Sequence, residues 1–177
     1  IGFALIGNRK SDFAPFCLFA AQRIYTPTDG KVNKHTDKIN HNLGGAYYYR
    51  GEFDKSIEYF QKSLEGKQIL YGDNSIEVSM VHNNLGILFD SKAYYNESIE
   101  HYRKAYEIKR DILGENDAGL YNILLNIGGY HMEKRNYPTA LKYLERAEKI
   151  AIAHPSNAEI SAGKVYNNLA GIYTNLH

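Results

Sequence analysis

The chain has no tryptophan, one cysteine, four prolines and almost no net charge, with 21 Lys and Arg set against 20 Asp and Glu for a formal +1. Each shortage excludes something. One cysteine cannot form an internal disulfide, so the fold must rest on packing, and the chain suits a reducing compartment such as the cytoplasm. Cys17 itself is expected to be a small buried apolar residue. Balanced charge leaves no basic face of the kind that captures nucleic acid or an anionic membrane, so neither is expected as a partner, RNA included. No run of about 18 uncharged apolar residues occurs, as a membrane-spanning helix would need. The N-terminus has no basic start and no small-residue cleavage site of a signal peptide. No Ser/Gly/Pro-rich tract divides the sequence. The clearest loop is Thr26-Pro27-Thr28-Asp29-Gly30, a connection and not a linker.

Catalytic signatures are missing too. The seven histidines include no i,i+4 pair with a glutamate, and no CxxC motif accompanies them, so metal ligation is not expected. There is no GxxxxGKS phosphate loop and no GxSxG nucleophile turn. The acidic residues follow the surface spacing of amphipathic helices. An enzyme is not expected within this chain, nor any cofactor.

What the sequence does contain is a period. Leu43-Gly44 recurs as Leu85-Gly86, Ile127-Gly128 and Leu169-Ala170, each step being 42 residues, and the same register backwards reaches Ile1-Gly2. Small residues keep the stride at Ala14, Ser56, Ser98 and Ala140, and again at Ala21, Ser63, Ala105 and Ala147. Large ones do so at Leu18, Phe60, Tyr102 and Leu144. Gly30, Gly72 and Gly114 make a fifth row, broken by Ser156. Such self-similarity marks a stack of supersecondary units.

The residue classes say what the unit is. A glycine inside a helical pattern costs roughly 1 kcal/mol against alanine, which makes sense where another helix comes too close for a side chain. Two small residues seven apart share one helix face, and small against small is how a tight antiparallel hairpin crosses. Asp12, Asp54 and Asn96, with Pro138 in the fourth copy, are expected to cap or open the second helix of each pair. Phe53, Tyr95 and Tyr137 stand just before them as hydrophobic staples. Gly30, Gly72 and Gly114 should end that helix in the left-handed conformation. The first helix of each pair, helix A, is therefore expected over 34–50, 76–91, 120–134 and 159–175. Helix B is expected over 12–25, 54–70, 96–113 and 138–153.

These rows resemble the tetratricopeptide repeat, a helix-turn-helix unit with a small residue after a leucine, two small residues seven apart and an aromatic between them. The stride of 42, in place of the common 34, is similar to the longer subtype of kinesin light chains. Asn83-Asn84-Leu85-Gly86 and the stretch from Ala105 to Asn116 carry that likeness most closely. The resemblance implies an all-α, right-handed superhelical solenoid of antiparallel helix pairs, with helix A lining the concave side and contacts between near neighbours only. It covers essentially the whole chain as a single domain, 1–177. Within it lie repeats at 34–72, 76–114 and 120–156 and partial ones at 1–30 and 159–177. The register begins inside one helix A and stops inside another, so an excerpt from a longer array, or an array with poorly ordered ends, is expected.

On the helix A face, Asn42, Asn84, Asn126 and Asn168 hold one repeat position. Asparagine is a mediocre helix former, so four in register need a reason. An amide donates and accepts, and a row of them can grip an extended peptide backbone. Alternatively, each amide ties its repeat to the next. One turn away Gly45, Ile87, Gly129 and Gly171 leave room. Lys38, Met80, Asn122 and Lys164 lie four residues before the row, and Tyr49, Ser91, Glu133 and Asn175 seven after it. Lys38 and Lys164 would meet an acidic segment or terminal carboxylate, as the family's peptide clamps imply, or else are solvated ends. Tyr47 aligns with Phe89, His131 and Tyr173 and reads as core, leaving Tyr49 for ligand contact. Lys104, Lys109 and Arg110 of helix B read as a wetted outer face. The expected peptide-binding set is Lys38, Asn42, Tyr49, Asn84, Ile87, Asn122, Asn126, Lys164 and Asn168. The expected function is a scaffold for a protein or peptide, the alternative being a sensor module that controls an effector domain, such as a kinase or protease, elsewhere in the same polypeptide.

Overall fold

The structure, a computed structural model, describes residues 14–25, 33–155, 157 and 160–176. Those residues form eight α-helices: α1 (Ala14–Tyr25), α2 (Lys34–Tyr49), α3 (Phe53–Tyr71), α4 (Ile76–Ser91), α5 (Tyr95–Leu113), α6 (Tyr121–Glu133), α7 (Tyr137–Ala153) and α8 (Ala162–Leu176). A single 3-10 turn, Ala118–Leu120, precedes α6. No strand occurs among the described residues. The contacts divide into two compact units, one ending at Tyr94 and one beginning at Tyr95.

In the first unit each helix packs on the next, from α1 through α4. Leu18 of α1 meets Ile39, Leu43, Ala46 and Tyr47 of α2 in one apolar cluster. Phe60 of α3 meets Val81, Leu85 and Leu88 of α4 in a second. The crossing of α2 and α3 is as close as the small residues require. A Cβ on Gly44 would lie 2.8 Å from Cγ of Phe60, and the Ser56 hydroxyl donates to the Gly44 carbonyl at 2.7 Å. Helix α2 opens on a capping box. The Asn33 side chain accepts from the amides of His35 and Thr36, both at 2.8 Å, and the Asn33 amide donates back to the Thr36 hydroxyl at 3.2 Å. Ser75 caps α4, accepting from the Val78 amide at 3.3 Å.

The second unit repeats the scheme. Helix α5 packs on α6, α6 on α7, and α7 on α8. Tyr121, Leu124, Ile127, Leu144, Val165 and Ile172 are sealed from solvent. A Cβ on Gly128 would stand 2.8 Å from Cγ of Leu144. The Tyr121 hydroxyl donates to the Ser161 carbonyl, tying the α6 start to the α8 approach. Every member described of the two small rows on α3, α5 and α7 is fully buried: Ser56, Ser63, Ser98, Ala105, Ala140 and Ala147 are all 0% exposed. The row Leu18, Phe60, Tyr102 and Leu144 is buried as well.

The turns between helices A and B follow a rule that residue classes did not reveal. After α2 the amides of Gly51 and Glu52 donate to the carbonyls of Tyr48 (2.9 Å) and Tyr47 (3.0 Å). After α4 those of Ala93 and Tyr94 donate to Asp90 and Phe89, both at 2.8 Å. After α6 those of Arg135 and Asn136 donate to Met132 (2.9 Å) and His131 (2.8 Å). Each is a Schellman ending, which needs one left-handed residue. Gly51, Ala93 and Arg135 supply it at φ of +73°, +60° and +57°. The residue after each then opens the next helix directly.

That economy moves the caps. Glu52 and Asn136 precede α3 and α7, and Asn136 accepts from the Thr139 amide at 3.4 Å. Asp54 and Asn96 are not caps but second residues of their helices, where an acid still meets the positive helix end, while Pro138 stands in the first turn of α7 as expected, where proline loses no bond. Gly72 and Gly114 do take the left-handed conformation, at φ +82° and +86°. Asp12, Gly30 and Ser156 lie outside the described residues, as do residues 1–13 of the first partial repeat. The expected helix over 159–175 starts at Ala162, and that over 120–134 runs Tyr121–Glu133, directly after the 3-10 turn Ala118–Leu120.

Two further expectations are corrected. Cys17 is exposed: Leu18 and Ala21 turn the buried face of α1 toward α2, and Cys17 sits about 100° round the helix from Leu18. Lys109 is not a wetted residue of an outer face but half-buried, its ammonium donating to the Gly119 carbonyl at 3.2 Å, with burial pulling its pKa down.

Candidate functional site

Helix α2 carries Lys38, His41, Asn42, Gly45, Tyr48 and Tyr49 on successive turns, and α4 carries Met80, Asn84 and Ile87. Between the two helices lies a cavity of about 200 Å3. Asn42 and Asn84 border it from opposite helices. Tyr48, Tyr49 and Ile87 form apolar walls, and Phe60 reaches in from α3. Gly45 leaves one side open, since no atom comes within 4 Å of where its Cβ would stand. A second recess of about 190 Å3 is bounded by Lys38, His41, Asn42, Lys67 and Met80. His41 and Asn42 belong to both.

Behind these recesses is a buried polar cluster. Asp37, 1% exposed, accepts from the Lys67 ammonium at 2.8 Å and from the Ser63 hydroxyl at 2.9 Å. His41 follows Asp37 by one turn, its ring edge-on to Phe60 at 5.4 Å. Its Nδ1 is buried without a hydrogen-bond partner. Burial above all, then the Lys67 ammonium, lower its pKa from 6.5 to about 4, with Asp37 opposing them. The imidazole is therefore neutral at physiological pH.

Comparison with known proteins places the fold. The family described as tetratricopeptide repeat matches residues 36–111 and 94–153. The chain belongs to the tetratricopeptide repeat family. Among solved structures it is similar to BtubC (BKLC) from P. vanneervenii, at 24% identity over 84% of this chain and a TM-score of 0.76. The chain spans only 59% of the length of that protein. It is also similar to the nearly identical TPR-like repeats of a putative kinesin light chain from Podosopora anserina, at 12% identity, TM-score 0.70, covering 98% of this chain and 90% of that one. At such identities the likeness is one of fold. No curated protein matches it.

Of the nine expected site residues, five gather in the first unit of this tetratricopeptide chain. Asn42, Tyr49, Asn84 and Ile87 line the larger cavity, and Lys38 lines the smaller. Tyr49 is 67% exposed, while Tyr47 is buried and stacks on Tyr59 at 5.5 Å. In the second unit Asn126 of α6 and Asn168 of α8 are half-buried, while Asn122 and Lys164 are exposed. There Gly129 again has nothing within 4 Å of its Cβ position, and Gly171 has only the Met132 sulfur at 3.6 Å. None of the four asparagine amides of the repeat position has a hydrogen-bond partner among the described residues. The residues that sequence reasoning missed are His41, Tyr48, Phe60 and the Asp37–Lys67 pair. Only adjacency to the asparagine row could have pointed to His41.

No helix among the described residues is long and apolar enough to cross a membrane. No cluster of metal-ligating side chains occurs among them either.

Proposed function

We propose that the chain is a cytoplasmic, non-catalytic scaffold that holds an extended peptide or partner segment against the helix A face, seated at the α2–α4 cavity. Tetratricopeptide repeats are generally protein-interaction modules, and a groove is what a stack of such pairs offers. The observation that carries the reading is the pair Asn42 and Asn84. Two amides, without hydrogen-bond partners among the described residues, flank an open apolar cavity of about 200 Å3. An amide whose structural work is to tie repeats together would have its partner already. Amides left with both functions free are suited to a partner's backbone, whatever its sequence. Lys38 beside the second recess adds a cation for an acidic residue of the same segment.

The test is selection of binding peptides from a random library on the full chain, followed by affinity measurement with Asn42→Ala and Asn84→Ala together. The double variant should weaken binding by ~1–3 kcal/mol and leave the melting temperature in place. Unchanged affinity with a lowered melting temperature would show that the amides serve the fold, and the reading would fail.

A further inference from the structure

Helix α8 leaves open a face that its counterpart in the same unit keeps covered. The stride of 42 matches Gly163, Tyr166, Asn167, Ala170 and Tyr173 of α8 to Tyr121, Leu124, Leu125, Gly128 and His131 of α6. On α6 all of these are buried. On α8 all are exposed, Tyr166 by 49% and Tyr173 by 52%. The cover on α6 is α7, the helix B of its pair: Leu144 lies over Gly128, and Tyr143 stacks on His131 at 6.0 Å. In the first unit α3 covers α2 in the same way, with Phe60 over Gly44 and Tyr59 stacked on Tyr47 at 5.5 Å. The buried side of α8, Val165 and Ile172, goes with its packing on α6 and α7. The Tyr166–Ala170–Tyr173 stripe is a helix A surface with no helix B upon it among the described residues.

Helix α1 shows the converse. Ala14, Leu18 and Ala21 keep the small-large-small pattern of a helix B, and Leu18 packs on α2. Yet Cys17 and Ile24 are exposed, Ile24 by 75%. Their counterparts on α7 are Tyr143, half-buried against His131, and Ile150, 2% exposed. One helix A and one helix B thus present the two halves of an interface that the protein builds twice elsewhere. We infer that the chain associates with itself head to tail, α8 of one copy packing on α1 of the next to complete a hairpin of the kind α6 and α7 make. Register fixes the pairs. Tyr173 meets Cys17 as His131 meets Tyr143, and Ala170 meets Leu18 as Gly128 meets Leu144. Ala170 carries the methyl that glycine leaves out, so the two helices stand farther apart than α6 and α7 and the association is reversible. Each copy contributes a different surface, so copies add on until a ring closes or a face is blocked. The register of Ile1-Gly2 makes the chain's own first residues a rival for α1.

Sedimentation velocity of the full chain over a rising concentration series decides between them. A sedimentation coefficient that grows with concentration is expected; a monomer throughout would give α1 to the rival and overturn the inference. Ala170→Arg and Ile24→Lys each change an exposed position and so spare the monomer's packing. Each should weaken self-association at least roughly ten-fold. Mixed together they should form a dimer and nothing larger, because each supplies the face that the other lacks. Association that survives both substitutions, or a mixture that yields no dimer, would assign the contact to another surface. Cys17, the only cysteine, reads the register directly. Under copper–phenanthroline and air, Tyr173→Cys should give a ladder of disulfide-linked chains, and Tyr173→Cys with Cys17→Ser should give none. A ladder that is absent from the first, or present in the second, would refute the pairing of Tyr173 with Cys17.

Discussion

Two neighbouring glycines on α2 make the sharpest test of the hairpin geometry. Alanine at Gly44 places a methyl 2.8, 2.9 and 3.0 Å from Cγ, Cδ1 and Cδ2 of Phe60. Cγ is the root of the ring and not its free end, and Phe60 is 4% exposed, walled in by Val81, Leu85 and Leu88. The ring cannot retreat without pushing α4, and the Ser56 bond to the Gly44 carbonyl resists any widening of the crossing. Overpacking of this kind costs about 1–3 kcal/mol, against which alanine returns roughly 1 kcal/mol of helix propensity. Gly44→Ala should therefore be neutral to destabilised by about 2 kcal/mol. Alanine at Gly45 meets nothing within 4 Å and should stabilise by about 0.5–1 kcal/mol. The same one-methyl change at adjacent positions should thus differ by about 1–3 kcal/mol. Urea unfolding followed by far-UV circular dichroism measures it, with equal m-values confirming a shared transition. Gly128→Ala, against Leu144 at 2.8 Å, and Gly129→Ala should repeat the contrast in the second unit. If Gly44→Ala proves as stable as Gly45→Ala, the crossing is looser than described and the reason for the glycine row is wrong.

Further outcomes follow from the turns and the buried polar groups. Gly51→Ala should cost about 1 kcal/mol, the left-handed penalty on a Cβ, whereas Arg135→Gly should be neutral or gain a few tenths of a kcal/mol by thermal melting, because Arg135 already carries that penalty. Lys67→Met leaves the Asp37 carboxylate buried without its cation and should destabilise by about 3–5 kcal/mol, while Asp37→Leu with Lys67→Met should recover most of it. Because the folded protein holds the His41 pKa down from 6.5 to about 4, the unfolded chain binds the extra proton between those values. Stability should therefore be full above pH 6.5 and fall by about 3 kcal/mol on the way to pH 4. His41→Phe should flatten that part of the pH profile of unfolding, and an unchanged slope would show that His41 is not its source.

The legible part of this molecule was whatever repeats. Gly44 and Gly128 announced close crossings because glycine inside a helix is costly, and Ser56, Ser63, Ala140 and Ala147 announced the seam because smallness survives the change from serine to alanine. The turns were not legible in the same way. Gly51, Ala93 and Arg135 share one left-handed conformation but no residue class, so a comparison of side chains passes over them. Their conformation is imposed by the two returning amides of the Schellman ending, a backbone property. The caps were misread for the same reason. Asp54 and Asn96 have the right chemistry for a helix start, yet the residue after the left-handed one is already the helix threshold. Cys17 was assigned from its residue type, which says nothing about which way it faces on α1.

The candidate site divides along the same line. Asn42 and Asn84 were visible because they recur. Asp37 and His41 were not, because each departs from its own row: Asp37 corresponds to Ser79, Tyr121 and Gly163, and His41 to Asn83, Leu125 and Asn167, while Lys67 recurs as Lys109 and is set apart only by the aspartate it meets. A stack of near-identical units needs the recurring residues simply to stand, and so they report on packing. Where one unit replaces a serine with a buried aspartate and then holds a lysine against it, the stack gains nothing that its neighbours lack, and burying the pair carries a desolvation cost. Both departures fall around the two recesses of the first unit, with His41 in their walls beside Lys67 and Asp37 behind them holding the lysine. In a periodic protein the departures from the period are the better guide to what one copy is for, and here they converge on the face where α2 and α4 leave room for a guest.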